Sequence, residues 1–199
     1  MNPRAILRAS LGALLLAVLA GPVAGDTHPQ QAAASELQCD VAPRSYANIT
    51  SLLDVAPPAT PPATTGGETL ESGIPATDSE VHAMRNLVGE WLACQNEGKL
   101  FSSWALFSDG YLYRLISRQP PLSSELYDDW ATPAPAESAT ATLLTITDER
   151  RLDDGRLGAT VRISYASVPM PKQFFFYFVE RDGTLLIDSI LGEISFSVP

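Results

Sequence analysis

Apolar residues recur at helical spacing in the stretch that starts near residue 78. The residues of this apolar face are Val81, Met84, Val88 and Trp91. They are three or four positions apart, as on one side of an α-helix. Thr77 and Glu80 have the spacing of a capping box at the start, and Gly98 suits the left-handed residue that follows a helix end. The pattern therefore predicts a long helix over 78–97.

Shorter apolar periods lie on both sides of this helix. They predict short helices over 45–53 and 100–107. Residues 108–110 read Ser-Asp-Gly, which predicts a break, with Asp109 as a turn residue. A third short helix or turn follows over 111–116.

Residues 117–138 are interrupted by four prolines, and we expect irregular structure there. A loop of this length inside a compact domain often forms a lid or rim over a site. The alternative is a surface excursion that the apolar side chain of Trp130 pins to the domain.

After residue 140 the period changes to two, which is typical of β-strands. We predict strands over 141–150, 157–166, 173–181 and 184–191. Because the helices come first and the strands form an antiparallel meander, the fold class is α+β.

The strand over 173–181 is apolar on both faces. One face carries Phe174, Phe176 and Phe178, and the other carries Phe175, Tyr177 and Val179. An antiparallel strand with one face in water alternates apolar and polar residues, so both faces here must be covered. The helices can cover one face. For the other we favour a second copy of the chain, and the alternative is the Cys39 segment.

The first 25 residues have the pattern of a secretory signal. Two arginines precede an apolar run over 11–20, which is too short to span a bilayer. Val23 and Gly25 are small residues before a cleavage site, so we predict removal of 1–25 and export of the rest. The alternative is an uncleaved N-terminal anchor.

The exported part divides by composition into three stretches. Residues 26–55 form an N-terminal extension, and 56–77 are a linker rich in Pro, Thr and Gly. The main domain is predicted over 78–199.

The charge balance narrows the possible partners. Lys and Arg number 13 against 23 Asp and Glu, a formal net charge of −10. An acidic chain does not displace phosphate counterions, so neither nucleic acid nor an anionic membrane is an expected partner. With two His and two Cys, we expect no metal site and no cofactor. Outside the cytosol Cys39 and Cys94 favour a disulfide, and the alternative is two separately buried thiols.

Three local strings and the order of the elements are similar to the nuclear transport factor 2-like superfamily, which includes the SnoaL-like polyketide cyclases. The strings are Trp-Leu-Ala-Cys-Gln-Asn-Glu-Gly over 91–98, Ala-Leu-Phe-Ser-Asp-Gly-Tyr over 105–111 and Asp-Gly-Thr-Leu-Leu-Ile-Asp over 182–188. The resemblance covers about 78–195. It implies a cone-shaped fold, with a curved sheet around a long helix, an apolar pocket and dimers formed through the sheet. The Cys39 extension and the linker depart from the plain family fold.

Enzymes of that family place an Asp, His or Tyr in the cone, and the candidates here are Asp188, Tyr165 and Tyr177. An apolar pocket shifts carboxylate pKa values toward useful pH. Each candidate also has a structural alternative: a hydrogen-bonded carboxylate for Asp188, and core packing for the two tyrosines.

The candidate ligand-binding residues lie on the predicted helices. They are Tyr111, Tyr113, Arg114, Trp91 and Trp104. The first three cluster near the expected cone mouth, where they could hold an anionic ligand, and the alternative is an arginine packed on a ring. The two tryptophans either line the cavity or fill it.

Three functions remain open on the sequence alone. We favour an exported, non-catalytic module that binds a small apolar or amphipathic ligand. The first alternative is an isomerase, cyclase or dehydratase that uses Asp188 with a tyrosine. The second is an interaction or dimerisation module whose cone is filled by Trp91, Trp104 and the phenylalanines.

Overall fold

The computed structural model describes residues 38–54, 73–133 and 140–192. The predicted signal segment, residues 26–37 and 55 of the extension, 56–72 of the linker, 134–138 of the predicted irregular region and 193–199 of the main domain lie outside these ranges. The described ranges contain five helices and one antiparallel sheet of five strands. One short strand precedes the second helix and the other four follow the last helix, so the α+β fold class is confirmed.

The helices and strands have the following bounds. The helices are α1 Tyr46–Asp54, α2 Asp78–Asn96, α3 Leu100–Ala105, α4 Asp109–Ile116 and α5 Ser124–Ala131. The strands are β1 Ile74–Pro75, β2 Ala141–Arg151, β3 Leu157–Tyr165, β4 Lys172–Arg181 and β5 Thr184–Leu191. The sheet order β1-β2-β3-β4-β5 follows the chain, and every neighbouring pair is antiparallel.

Helix α2 has the capping box that its sequence predicts. The Thr77 hydroxyl accepts the Glu80 N–H, and the Glu80 carboxylate accepts the Thr77 N–H at 2.8 Å. Gly98 has φ of +68°, in the left-handed region where glycine costs least. The predicted helix over 78–97 is therefore confirmed to within one residue.

Two helix predictions differ from the structure. The predicted break between two helices is present, but it falls at 106–108, where Ser108 caps α4, and Asp109 lies in the first turn of α4 rather than in a turn between elements. Residues 124–131 form α5, where irregular structure was expected. The hydroxyl of Ser123 caps this helix, and the neighbouring prolines all fall outside its bounds.

One face of the sheet packs on α2. Trp91 meets Phe176 edge to face, with ring centroids 5.6 Å apart, and Phe176 stacks on Phe178 at 6.0 Å. All three side chains are buried. The hydrophobic core therefore lies between α2 and the central strands, and these rings fill it.

The other face of β4 is covered at Phe175 by the same chain. Phe175 is only 7% exposed. Its ring lies against Gly158, where an added Cβ would come within 2.7 Å of the ring, and next to it the guanidinium of Arg156 lies 4.5 Å from the ring centre of Tyr177. Burial of Phe175 thus does not require a second copy, and the homodimer stays a prediction.

Candidate functional site

A concave surface of about 450 Å³ lies between residues 39–43, α3 and α5, and we call it the α3–α5 groove. Its walls are mostly apolar and aromatic. The side chains that matter below are Val41, Leu100, Phe101, Tyr127 and Trp130, with Asp40 and Lys99 as its charged members. Pockets of this size that combine apolar walls with a few polar groups are typical of small-molecule sites.

The predicted Cys39–Cys94 disulfide is confirmed, and it attaches one wall of the groove to α2. Hydrogen bonds fix the same segment. The Cys39 N–H donates to Glu97 Oε1 at 2.8 Å, and Lys99 Nζ donates to the Cys39 carbonyl at 3.0 Å. The segment therefore keeps its place through one covalent bond and two polar contacts.

Arg44 holds the continuation of this wall. Its guanidinium donates to the carbonyls of Trp104 and Phe107, at 3.1 and 2.8 Å, and to Asp109 Oδ1 at 2.7 Å. The backbone of Arg44 takes part as well, because its carbonyl accepts the Tyr127 hydroxyl at 2.8 Å. One residue thus joins the extension to α3, α4 and α5.

The opposite wall is aromatic. Tyr127 of α5 stacks on Phe101 of α3 with ring centroids 4.2 Å apart and an interplanar angle of 18°. Trp130 lies one helical turn further along α5 and is half-buried. Residues three and four apart share one face of a helix, which is why α5 presents these two rings together.

A second polar arrangement, the Asp188 cluster, consists of Ser108, Asp154, Arg156 and Asp188. Asp188 is 1% exposed. The Ser108 hydroxyl donates to its Oδ1 at 2.7 Å, and Arg156 Nη1 lies 3.2 Å from its Oδ2. Arg156 also pairs with Asp154 at 2.6 Å, so this cation lies between two carboxylates.

A β-bulge places Asp188 in this cluster. Tyr177 pairs with Ser189 and Phe178 pairs with Ile187, so Asp188 is the extra residue of β5. A bulge changes the direction in which a side chain points, and such features are common next to polar sites. The outer edge of β5 is covered at this point, because the Ser108 N–H donates to the Ile187 carbonyl at 2.9 Å.

Burial and charge shift the pKa values of two candidate tyrosines and of one member of the Asp188 cluster. Burial raises the pKa of the Tyr111 phenol well above its usual range, against a smaller opposing effect of the Arg114 charge. Burial also raises the pKa of Tyr165. For Asp154 burial acts upward, but the hydrogen bonds and charge of Arg156 outweigh it, and the pKa is lowered.

The structure places the predicted site residues in the core or around the Asp188 cluster, and not in the groove. Trp91, Trp104 and Tyr111 are buried core residues, and Tyr113 is half-buried on α4. Arg114 donates from Nη2 to the Asp188 carbonyl at 2.8 Å. None of these five residues lines the α3–α5 groove.

The two enzyme candidates besides Asp188 are also separate from the groove. Tyr165 packs against the core, and Tyr177 lies under Arg156 on the other face of the sheet. The sequence suggested Trp130 only as a side chain that pins an irregular region to the domain. The spacing of three between Tyr127 and Trp130, after the capping residue Ser123, is the signal that would have indicated α5.

A smaller groove of about 250 Å³ lies where the start of α2 approaches the two hairpin turns. The ion pair between Arg151 and Glu80 crosses it. Arg151 and Glu80 neutralise each other there, which favours a structural contact.

Further tests of the described residues bear on metal and membrane binding. Over 38–54, 73–133 and 140–192, no three His, Cys, Asp or Glu side chains are grouped as a metal ion would require. No helix in that part of the chain has the length and hydropathy needed to cross a bilayer.

Comparisons with protein-family models, with curated proteins and with solved structures gave no significant match.

Proposed function

We propose that this chain is an exported, non-catalytic binding module that holds a small amphipathic ligand in the α3–α5 groove. The observation that carries the proposal is the groove itself, about 450 Å³ with the rings of Phe101, Tyr127 and Trp130 on its walls. Aromatic side chains supply large contact areas at a low cost in conformational entropy. The polar groups at the segment of residues 39–43 would orient the polar end of such a ligand.

Membership of the nuclear transport factor 2-like superfamily, with its cone shape, belongs to the proposal. Its support is the long helix α2 against one face of an antiparallel meander, and the irregular registers of β2 and β5. Bulges increase the twist of a sheet, which is what a curved wall requires. The ligand site proposed here lies on the helical side rather than among the core residues Trp91 and Phe176.

Export is proposed from the signal-like pattern of residues 1–25. The Cys39–Cys94 disulfide also supports export, because disulfides persist in oxidising compartments. N-terminal sequencing of protein collected outside the cytoplasm should begin at Asp26, directly after the predicted cleavage site. A chain that keeps Met1 in the membrane fraction would contradict cleavage.

The contacts of Asp188 favour a structural role over the enzyme alternative. Its carboxylate binds Ser108 and Arg156 and is enclosed, whereas a general acid or base needs a substrate atom within hydrogen-bond reach. The cluster therefore fixes the bulge of β5 and the start of α4.

An interaction module with a filled core is the second candidate function. It is favoured by the packing of Trp91, Phe176 and Phe178, which occupy the space that a cone pocket would use. Sedimentation of the wild-type chain tests it, because a stable dimer at micromolar concentration supports this candidate and a monomer opposes it.

Calorimetry with a neutral amphiphile tests the binding proposal. Octyl glucoside, used below its micellar concentration, should bind the mature chain saturably with one site. Trp130→Ala should weaken binding about tenfold, since it removes a large apolar contact, and Trp130→Phe should recover part of the loss.

The matched control is Met170→Ala, which truncates an exposed apolar side chain outside the groove. It should bind as the wild type does. Absence of saturable binding, or equal affinity of the wild type and Trp130→Ala, would overturn the proposal.

A further inference from the structure

Two charged residues, Lys99 and Asp40, line the α3–α5 groove, and only Lys99 has an ion-pair partner among the described residues. Lys99 Nζ is 2.8 Å from Glu97 Oε2 and also donates to the Cys39 carbonyl at 3.0 Å. Both contacts compensate its positive charge. The hydrogen bonds from Lys99 and from the Cys39 N–H hold the pKa of Glu97 below its ordinary value, so this partner stays ionised at neutral pH.

Asp40 has no such compensation. It lines the groove, its side chain is exposed, and among the described residues it has neither an ion pair nor a side-chain hydrogen bond. With Lys99 paired to Glu97, the groove presents one uncompensated negative charge, that of the Asp40 carboxylate.

The aromatic wall suits the same kind of ligand. The faces of Trp and Tyr rings attract cations through their quadrupole, and aromatic walls beside a carboxylate are a common way to recognise organic ammonium groups. Trp130 packs partly against the core, but it is half-buried and lines the groove, so the rest of its indole is open to a ligand. The acidic chain, with a formal net charge of −10, adds long-range attraction for cations.

We infer that the occupant of the α3–α5 groove is a small organic ammonium ion with an alkyl or aryl body, whose charge is held by Asp40 while its body lies against Tyr127 and Trp130. This inference rests on the proposed function and names its ligand class. An anionic amphiphile is disfavoured, because it would meet the carboxylate of Asp40 while Lys99 is already paired.

Three probes with the same tail and different head groups test the charge. They are octyltrimethylammonium, octyl glucoside and octyl sulfate, each titrated calorimetrically into the mature chain below its micellar concentration. We expect the ammonium probe to bind about tenfold more tightly than the glucoside, and the sulfate to bind most weakly. The difference in affinity between the ammonium probe and the glucoside should shrink with added salt, because exposed charges are screened.

Asp40→Asn should lower the affinity for the ammonium probe much more than the affinity for octyl glucoside, and so remove most of the preference for ammonium. Asp54→Asn is the matched control, since it removes the same charge at an exposed position at the end of α1 that does not line the groove. It should keep the preference. Circular dichroism confirms that each variant is folded.

The possible failures separate the two proposals. Equal binding of all three probes overturns the cationic inference while the binding function stands. Tightest binding of octyl sulfate also overturns it, because Lys99 would then be available to the ligand. If no probe binds, the proposed function and the inference fall together.

Discussion

Two carboxylates of this chain, Asp188 and Asp40, have opposite surroundings. Asp188 is enclosed and receives hydrogen bonds from Ser108 and Arg156. Asp40 is exposed at the rim of an aromatic groove and has no ion-pair partner among the described residues. Protein groups thus satisfy the first carboxylate, whereas the second is available to a ligand.

The comparison separates a residue that stabilises the fold from a residue that we propose binds a ligand. Removing one partner of a buried ion pair leaves an uncompensated charge, which is strongly destabilising. An exposed carboxylate contributes little to stability, so its substitution can change binding without changing the fold. We therefore propose a structural role for Asp188, which the sequence offered as a catalytic candidate.

The largest expected effect is that of Asp188→Ala. It removes one of the two carboxylates that hold the buried Arg156, leaves the Ser108 hydroxyl without its acceptor and opens a cavity, so together these losses should lower the free energy of unfolding by about 3–5 kcal/mol. Urea denaturation measures this. Asp40→Asn is the matched variant and should change stability by less than about 0.5 kcal/mol. Similar losses in both variants would contradict the comparison.

The next effect concerns the disulfide that attaches the groove wall. The double variant Cys39→Ser, Cys94→Ser should lose up to about 4 kcal/mol, because the bond closes a loop with a sequence separation of 55. It should also lose octyl glucoside binding at temperatures where it remains folded. An unchanged melting temperature would show that hydrogen bonds alone hold the segment.

Arg44→Met should have a smaller effect, about 2 kcal/mol, because two backbone carbonyls and Asp109 lose their donor. Asp109→Asn removes only the exposed ion pair with Arg44 and should lower the free energy of unfolding by less than about 1 kcal/mol. Chemical denaturation of both variants measures the difference. Equal losses would mean that the ion pair, and not the carbonyls, fixes Arg44.

Much of the fold could be predicted from the sequence, because its signals are local. The capping box, the helical period and Gly98 fixed α2 within one residue, and the period of two fixed β2 to β5 within one residue. The disulfide followed from the presence of only two cysteines. Helix α5 was missed because the prolines on both sides outweighed the spacing of Tyr127 and Trp130.

The groove could not be predicted in the same way. Its walls come from residues far apart in the chain, and Arg44 joins them through backbone carbonyls of Trp104 and Phe107, which carry no signature in the sequence. The burial of Asp188 likewise depends on a bulge in β5, and the pattern of apolar and polar residues along this strand does not reveal the bulge.

The smallest expected effect is on the acid dependence of stability. The pKa of Asp154 is lowered from 3.8 and that of Glu97 from 4.5. For both groups the folded value lies below the unfolded one, so their stabilisation is complete above these ordinary values and is lost as pH falls through the folded pKa.

Asp154→Asn and Glu97→Gln should each be less stable than the wild type at pH 7, and the difference should shrink below about pH 4. Urea denaturation at a series of pH values measures this. The loss should be larger for Asp154, whose partner Arg156 is buried, than for Glu97, whose partner Lys99 is part-exposed. The reverse order would weaken the contrast between the two regions.

Mass spectrometry of small molecules released from the purified chain tests the proposed binding site most directly. Protein isolated from its native host should release one organic ammonium compound in a molar ratio approaching one, and Trp130→Ala purified in parallel should release much less of it. Equal release from both proteins, or a wild type that carries no small molecule and binds none of the octyl probes, would contradict a ligand site between α3 and α5.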